Sequence, residues 1–364
     1  MRWKRNKLIL LFAFLFATIS AISISSINVK AVSGEYALKP MGGNDIVSID
    51  TGSYLVTGTP GQETSLQLMI MNKSNDTRKF MYMVNTAYTN GNGQLSYDKS
   101  KVTDPSLKIQ TASTVSPRKQ EITIPGKTNA TIAFKLTVPK ESFKGTIMGG
   151  VTVYPYKEKA KGTVSSNGTL IKNKFSYSIP IQIRQKDAED EVAKYSIRTV
   201  KPGTVTVSNG AKPGVLANIH NSGNSYTGNL DAKAIVTKKD DKSFKVTNTT
   251  SNQEIAPTSN YDYQISWGKK SLQAGDYHLK MVYKAPGGLK SWTLNKDFTI
   301  TNNDAAKYNK LAGIKPNYLW LYILLAILAL AIILGLGVYL GKRNNNKNNN
   351  MNNNGSNTTR RRRR

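Results

Sequence analysis

Residues 131–138 read TIAFKLTV, and the alternation across these eight positions decides the fold class. Ile132, Phe134, Leu136 and Val138 fall on one side of an extended chain, and Thr131, Ala133, Lys135 and Thr137 on the other. A half-buried strand requires this period of two, because successive side chains point to opposite faces of a sheet. Pro125-Gly126 before the stretch and Pro139 after it are turn signals that bound the strand.

The pattern recurs on either side. Residues 65–70 (SLQLMI) place Leu66, Leu68 and Ile70 on one face, behind the turn Thr59-Pro60-Gly61-Gln62. Residues 80–84, 122–124, 151–154 and 175–184 (FSYSIPIQIR) read as further strands. A second set lies at 195–200, 214–219, 230–237, 261–267, 276–283 and 291–301. Short strands at this spacing, separated by turn signals, predict an all-β chain of two immunoglobulin-like sandwiches in tandem. The first is expected over 32–185 and the second over 194–302. Between them, 186–193 carries Asp187, Glu189, Asp190 and Glu191 and reads as a polar linker, poor in anchors, so that the two sandwiches should unfold separately. Residues 303–317 read as a short stalk with no helix longer than a turn.

Residues 318–340 read YLWLYILLAILALAIILGLGVYL, without one charge. As an α-helix they cover roughly 35 Å, enough for a hydrocarbon core of about 30 Å. Their length together with uniform apolarity around the whole circumference argues against a core helix of a soluble domain. Tyr318, Trp320 and Tyr322 at one end and Tyr339 at the other suit the headgroup level. Lys342, Arg343, Lys347 and residues 360–364 put eight positive charges and no acid behind the span, which predicts a cytoplasmic C-terminus. The tail 341–364 is basic, Asn-rich and expected to be disordered. At the other end, Arg2, Lys4, Arg5 and Lys7 precede an apolar run, and Val29-Lys30-Ala31 offers a cleavage site, with a cut nearer Ala21 as the alternative. Residues 1–31 thus read as a secretory signal peptide, and the product as a single-pass protein with both sandwiches outside the cell.

Composition narrows the chemistry. Of the formal net charge of +29, 5 belongs to residues before 32 and 8 to those after 340, leaving +16 on the part between. Outside a cell such a surface suits an anionic wall polymer or acidic lipid rather than nucleic acid. There is no cysteine, hence no disulfide and no thiolate chemistry, which for an extracellular chain points to a Gram-positive bacterium. His220 and His278 are the two histidines, and neither has a partner at metal-ligand spacing. No motif of a nucleophile, a phosphate loop or a metalloprotease is present, so no enzyme, cofactor or metal is expected.

The chain also resembles the WxL-interacting proteins of low-GC Gram-positive bacteria. In the first domain the resemblance rests on Tyr54-Leu55, Pro60-Gly61-Gln62, and Leu66 and Leu68 ahead of Asn72. It continues through Thr86-Ala87-Tyr88-Thr89-Asn90 with Gly93, and through Val138-Pro139 ahead of Phe143-Lys144-Gly145-Thr146-Ile147-Met148-Gly149-Gly150. In the second it rests on Ala256-Pro257-Thr258-Ser259, Ala274-Gly275-Asp276-Tyr277, and Trp292 ahead of Phe298. The family often has Asn where this chain has Thr258. The resemblance implies a non-enzymatic surface protein whose first domain binds peptidoglycan and whose second binds a host protein. It further implies partners carrying W-x-L motifs, while Trp320-Leu321-Tyr322, inside the span, cannot itself serve as one. A structural stalk or assembly factor that recognises no glycan is the alternative.

Candidate binding residues follow from loop position and residue type. Tyr88, Thr89, Asn90 and Asn92, in a loop bounded by Gly93, could stack on or hydrogen-bond a glycan, and Lys144, in the glycine-rich motif, is a further candidate. Glycines 145, 149 and 150 read as structural, and Trp267 and Trp292 as core anchors. Lys233 and Lys238 flank one strand and Lys280 and Lys284 another, in the manner of charges guarding a sheet edge where a partner could add a strand.

Overall fold

The computed structural model describes residues 35–157, 162–164, 170–172, 175–207, 210–241, 243–315 and 318–352. The signal peptide expected at 1–31 lies outside the described residues, as does the tail beyond 352. The first domain opens with β1 (Tyr36–Met41), β2 (Val47–Asp50), β3 (Ser53–Gly58) and β4 (Glu63–Asn72). It continues through β5 (Arg78–Thr86), the short strands β6 (Tyr88–Thr89) and β7 (Leu95–Ser96), a 3-10 turn at Thr111–Thr114, and β8 (Val115–Ser116). β9 (Lys119–Ile124), β10 (Asn129–Thr137) and β11 (Ile147–Pro155) follow; a ribbon of β12 (Gly162–Val164) and β13 (Leu170–Lys172) precedes β14 (Tyr177–Gln185).

These strands form two facing sheets, ordered β1-β4-β10-β8 and β2-β3-β14-β11-β5-β9. The stretch TIAFKLTV lies in β10 and continues to Val138, and its four alternate apolar residues are buried as its period requires. They meet Leu66, Leu68 and Ile70 of β4 and Phe80, Tyr82 and Val84 of β5 in one core. Between β8 and β9 the chain leaves the smaller sheet and joins the larger, so β10 is paired on that side only at Lys135 and Leu136.

The second domain comprises β15 (Tyr195–Val207), β16 (Gly210–Asn221), β17 (Thr227–Lys238), β18 (Lys245–Ile255), β19 (Ser259–Ser266), β20 (Gly275–Lys284) and β21 (Ser291–Ile300). A three-stranded sheet, β15-β16-β19, faces a four-stranded one, β18-β17-β20-β21. Trp267 is buried in its core and Trp292 packs on it from the side, donating its indole N–H to the Ala193 carbonyl at 3.1 Å. The chain is therefore all-β, two immunoglobulin-like sandwiches followed by an apolar helix.

Three features differ from expectation, one of them that the final helix runs on to Asn352, through part of the Asn-rich stretch expected to be disordered. β18 is built mostly of Thr, Asn, Ser and Gln, with Val246, Gln253 and Ile255 alone turned inward; as a sheet edge it has little apolar periodicity to read. The region expected to hold no helix longer than a turn contains α1 (Asn302–Leu311). Its N-cap is Thr301, whose hydroxyl accepts from the Asp304 backbone N–H at 3.1 Å, a signal present in the sequence. α1 is not a free stalk: Ala305 is buried, Tyr308 packs on the core, and the Asn309 amide bonds both the N–H and the carbonyl of Leu272, at 2.7 and 2.9 Å. Beyond it α2 (Leu319–Asn352) begins with an apolar segment, Leu319–Lys342, long enough to cross a membrane.

Candidate functional site

The side chains with the densest polar chemistry lie between the sandwiches. The chain from Ala87 to Thr114, inserted between β5 and β8, wraps the larger sheet of the first domain, with Tyr97 on its outer face over Gly150 and Thr111 on its core-facing side against Gly149, and reaches the second domain. Two glycines of β11 make room for it. A Cβ on Gly150 would lie 2.7 Å from the Tyr97 ring, and one on Gly149 2.6 Å from a Thr111 methyl. Gly145 fits a third close approach: its φ is +71°, and a Cβ there would lie 2.2 Å from the Asn224 carbonyl oxygen in the second domain. All three glycines have the structural role read from the sequence, but besides the neighbouring strand at Gly149, whose Cβ would lie 2.7 Å from the Asn85 carbonyl oxygen, what they admit is the insertion and the second domain.

The tip of the insertion is the β6–β7 hairpin. Asn90 shapes it, accepting from the N–H groups of Asn92 and Gln94 at 2.9 and 3.2 Å and donating to the Ser96 hydroxyl at 2.8 Å. Thr89 is buried, and its hydroxyl accepts from the Ala256 N–H at 2.9 Å and lies 3.3 Å from Ser259 Oγ. The Gly93 carbonyl accepts from the Glu254 N–H at 2.7 Å, and the Asn92 carbonyl from Gln253 Nε2 at 3.2 Å. The Thr86–Gly93 motif of the first domain and the Ala256–Ser259 motif of the second are thus the two halves of one contact. Behind it Ala87, Tyr97, Met148 and Ala256 form a small apolar cluster of their own.

Beside the hairpin stands Asp104, whose side chain has no solvent exposure. Its carboxylate accepts from the Ser106 N–H and hydroxyl at 2.9 and 2.6 Å, and from Asn260 Nδ2 at 2.6 Å. Arg198 straddles both oxygens at 3.1 and 3.3 Å, and His220 Nε2 lies 3.0 Å away. Burial by itself would raise the carboxyl pKa, but the Ser106 and Asn260 hydrogen bonds and the neighbouring His220 outweigh it and hold the group at about 2. The His220 pKa is pushed down by burial and by Arg198, against the pull of Asp104. One residue of the first domain therefore gathers Arg198, His220 and Asn260 of the second. None of the four was singled out as functional from sequence; the Asp104-Pro105-Ser106 turn was the one local signal.

The linker 186–193 is pinned as well. The Glu189 carbonyl accepts from the Gly145 N–H at 2.8 Å, Lys144 pairs with the Glu189 carboxylate at 2.6 Å, and Arg184 pairs with Asp190. Glu191 accepts from the Asn224 N–H at 2.9 Å and pairs with Lys194. The expectation of a linker poor in anchors is corrected: three of the acids that made it look solvated, Glu189, Asp190 and Glu191, carry its anchoring contacts.

All five loop candidates lie at this junction. Thr89 and Asn90 are spent on internal bonds, and Lys144 on its ion pair. Tyr88 is buried; its hydroxyl donates to Asp98 at 2.6 Å, and burial followed by that carboxylate pushes its pKa up to about 12. Asn92 is exposed, with its carbonyl engaged. The four lysines read as edge guards require a correction. β17 pairs with β18 on one side and β20 on the other, and β20 also pairs with β21, so Lys233, Lys238, Lys280 and Lys284 lie on inner strands. Charges bracketing a strand in sequence do not reveal its position in a sheet. Among the described residues no cluster of metal-ligating side chains occurs.

Comparison with known proteins gives two matches that together span most of the chain. Residues 37–154 match the family model described as WxL Interacting Protein, peptidoglycan binding domain. Residues 166–310 match that described as WxL Interacting Protein, host binding domain. No curated protein matches. Among solved structures, the class 5 fimbriae chaperone CfaA is similar at 15% identity, covering 69% of this chain and 98% of that one, with a TM-score of 0.27. The CupB2 chaperone of Pseudomonas aeruginosa is similar at 9% identity, covering 67% and 96%, with a TM-score of 0.26.

Proposed function

The chain belongs to the WxL-interacting protein family, and from that premise we propose that it is a membrane-anchored, non-enzymatic adhesion component that holds peptidoglycan with its first domain and joins W-x-L partner proteins at the wall. A host protein is the ligand proposed for the second domain. The observation that carries this reading is the order and spacing of the parts. The first domain meets the second at His220, beside the Asn221 end of β16, and β16 runs from there to Gly210 at the end where its partner β19 leads through Ser266 to Leu272, which holds α1. Eleven steps at ~3.3 Å make that roughly 35 Å, so the second domain separates the first from the apolar segment that follows. The basic tail behind the segment favours a cytoplasmic C-terminus.

The junction supports a second reading, a rigid spacer or assembly factor without glycan recognition, because most of the loop chemistry that could meet a glycan is turned inward. Sedimentation of the detergent-solubilised chain with purified peptidoglycan separates the two. Retention that falls as salt rises supports wall binding through the +16 surface; absence of retention at every salt concentration leaves the spacer.

A further inference from the structure

α1 is clamped to the end of the second domain that lies away from the first, and this places five lysines on one surface. Lys307, Lys310 and Lys315 belong to α1 and the residues just after it, and Lys269 and Lys270 to the turn before Leu272, which the Asn309 amide holds. All five are exposed, and none makes an ion pair among the described residues. The acids at this end already have partners: Asp297 pairs with Lys239 and Asp240 with Lys238, Asp241 accepts from Ser243, Asp276 from the Thr299 hydroxyl, and Asp304 at the N-terminus of α1 from the Thr301 cap. The cap at the other end of α1 keeps the chain close. Gly313 has φ +70°, and the Ile314 N–H bonds back to the Asn309 carbonyl at 2.9 Å, so the chain has not left the helix until Ile314. From Ile314 to Leu319, where the apolar segment starts, is five residue steps, at most about 18 Å.

We propose that this surface is a collar that docks on anionic phospholipid headgroups and seats the second domain directly on the bilayer. The inference rests on the reading of Leu319–Lys342 as a membrane span. Ammonium groups held by a docked helix lose little freedom on meeting a phosphate, and the exposed Leu311 beside them offers an apolar contact at the interface. The occupant follows from charge: five cations within reach of the span, none in an ion pair and two resting over the Phe244 and Tyr308 rings, meet the anionic lipid plane before any other polymer.

The absence of native cysteine allows a direct test in the full chain. Ser271→Cys is labelled with a fluorophore, and the protein is placed in nanodiscs carrying a headgroup quencher, made of phosphatidylcholine alone or of phosphatidylcholine with an equal part of phosphatidylglycerol. Quenching is expected to be about threefold stronger with phosphatidylglycerol, and to fall to the neutral value in high salt or in the variant Lys269→Gln, Lys270→Gln, Lys307→Gln, Lys310→Gln. Equal quenching in both lipids overturns the proposal and leaves only tethering by the span. Lipid-dependent quenching that survives in the variant also overturns it. A chain that fails to enter nanodiscs at all overturns the span itself, a failure distinguishable from the other two.

Discussion

Asp104 is the residue on which the junction turns, and its energetics can be worked out from its partners. A buried carboxylate stripped from Arg198 and His220 leaves their charge and donors without an acceptor, which typically costs 3–5 kcal/mol. Asp104→Ala is therefore expected to lower the stability of the chain by about 3 kcal/mol, and Asp104→Asn, which keeps an acceptor but no charge, by roughly half as much. Chemical denaturation of the three proteins side by side measures this; a loss under about 0.5 kcal/mol for both would show that the cluster is incidental. The pH dependence follows in sign. The folded-state pKa of Asp104, about 2, lies below its ordinary 3.8, so its stabilisation, about 2 kcal/mol, is complete above roughly pH 4 and is lost as pH falls towards 2. The His220 pKa is depressed from 6.5, so the unfolded chain binds that proton first and stability also declines as pH falls below about 6.5. His220→Gln should flatten the decline near pH 6 and keep the one below pH 4, as read from denaturation midpoints across pH.

Among the elements, the insertion from Ala87 to Thr114 lies on β11 because Gly149 and Gly150 leave no side chains in the way. Gly150→Ala places a methyl 2.7 Å from the Tyr97 ring, which can yield only by shifting the insertion. The expected cost is about 1–3 kcal/mol, with increased proteolysis within 87–114 while the β10–β4 core keeps its amide protection. Equal loss of protection in β10 would mean that the insertion and the sandwich are not separable. The strands themselves were legible because each carries its own period: TIAFKLTV and SLQLMI pair as β10 and β4, with Phe134 opposite Leu66. What was not legible is whatever depends on the partner of an element. Thr89 and Asn90 have the composition of an exposed recognition loop, and only the second domain, more than 160 residues later in sequence, turns Thr89 into a buried contact. Lys233 and Lys280 alternate outward as edge charges do, and only the strand order shows them to be interior. The glycines were read correctly as structural because steric exclusion is a property of the residue itself.

At the scale of the whole molecule, the question is whether two sandwiches joined in this way behave as one body. The sequence argued for independence, since a short acidic linker offers no apolar anchor. The structure supplies anchors of three kinds: the Asp104 cluster, the backbone and Thr89 bonds of the β6–β7 hairpin, and the pinned linker with Gly145 against Asn224. The Thr89 bonds are buried and the Asp104 bonds partly so, and opening the junction exposes these polar groups as well as the Tyr97–Met148–Ala256 cluster, so neither domain gains by releasing the other. A single calorimetric transition is therefore expected for residues 35–315, against the separate melting that the linker alone suggests. Weakening the junction is the informative control. Asp104→Ala combined with Gly145→Ala, which drives a Cβ towards Asn224 from a left-handed backbone, should split the transition in two without abolishing either sandwich. If the unaltered chain already melts in two steps, the contacts at the junction are too weak to couple the domains. If the double variant still melts in one, the coupling resides in contacts other than Asp104 and Gly145. If the unaltered chain melts in one step, the first domain is carried on the second as a rigid extension, and a force applied to the first domain reaches the apolar segment through β16 and α1 rather than through a hinge at 186–193.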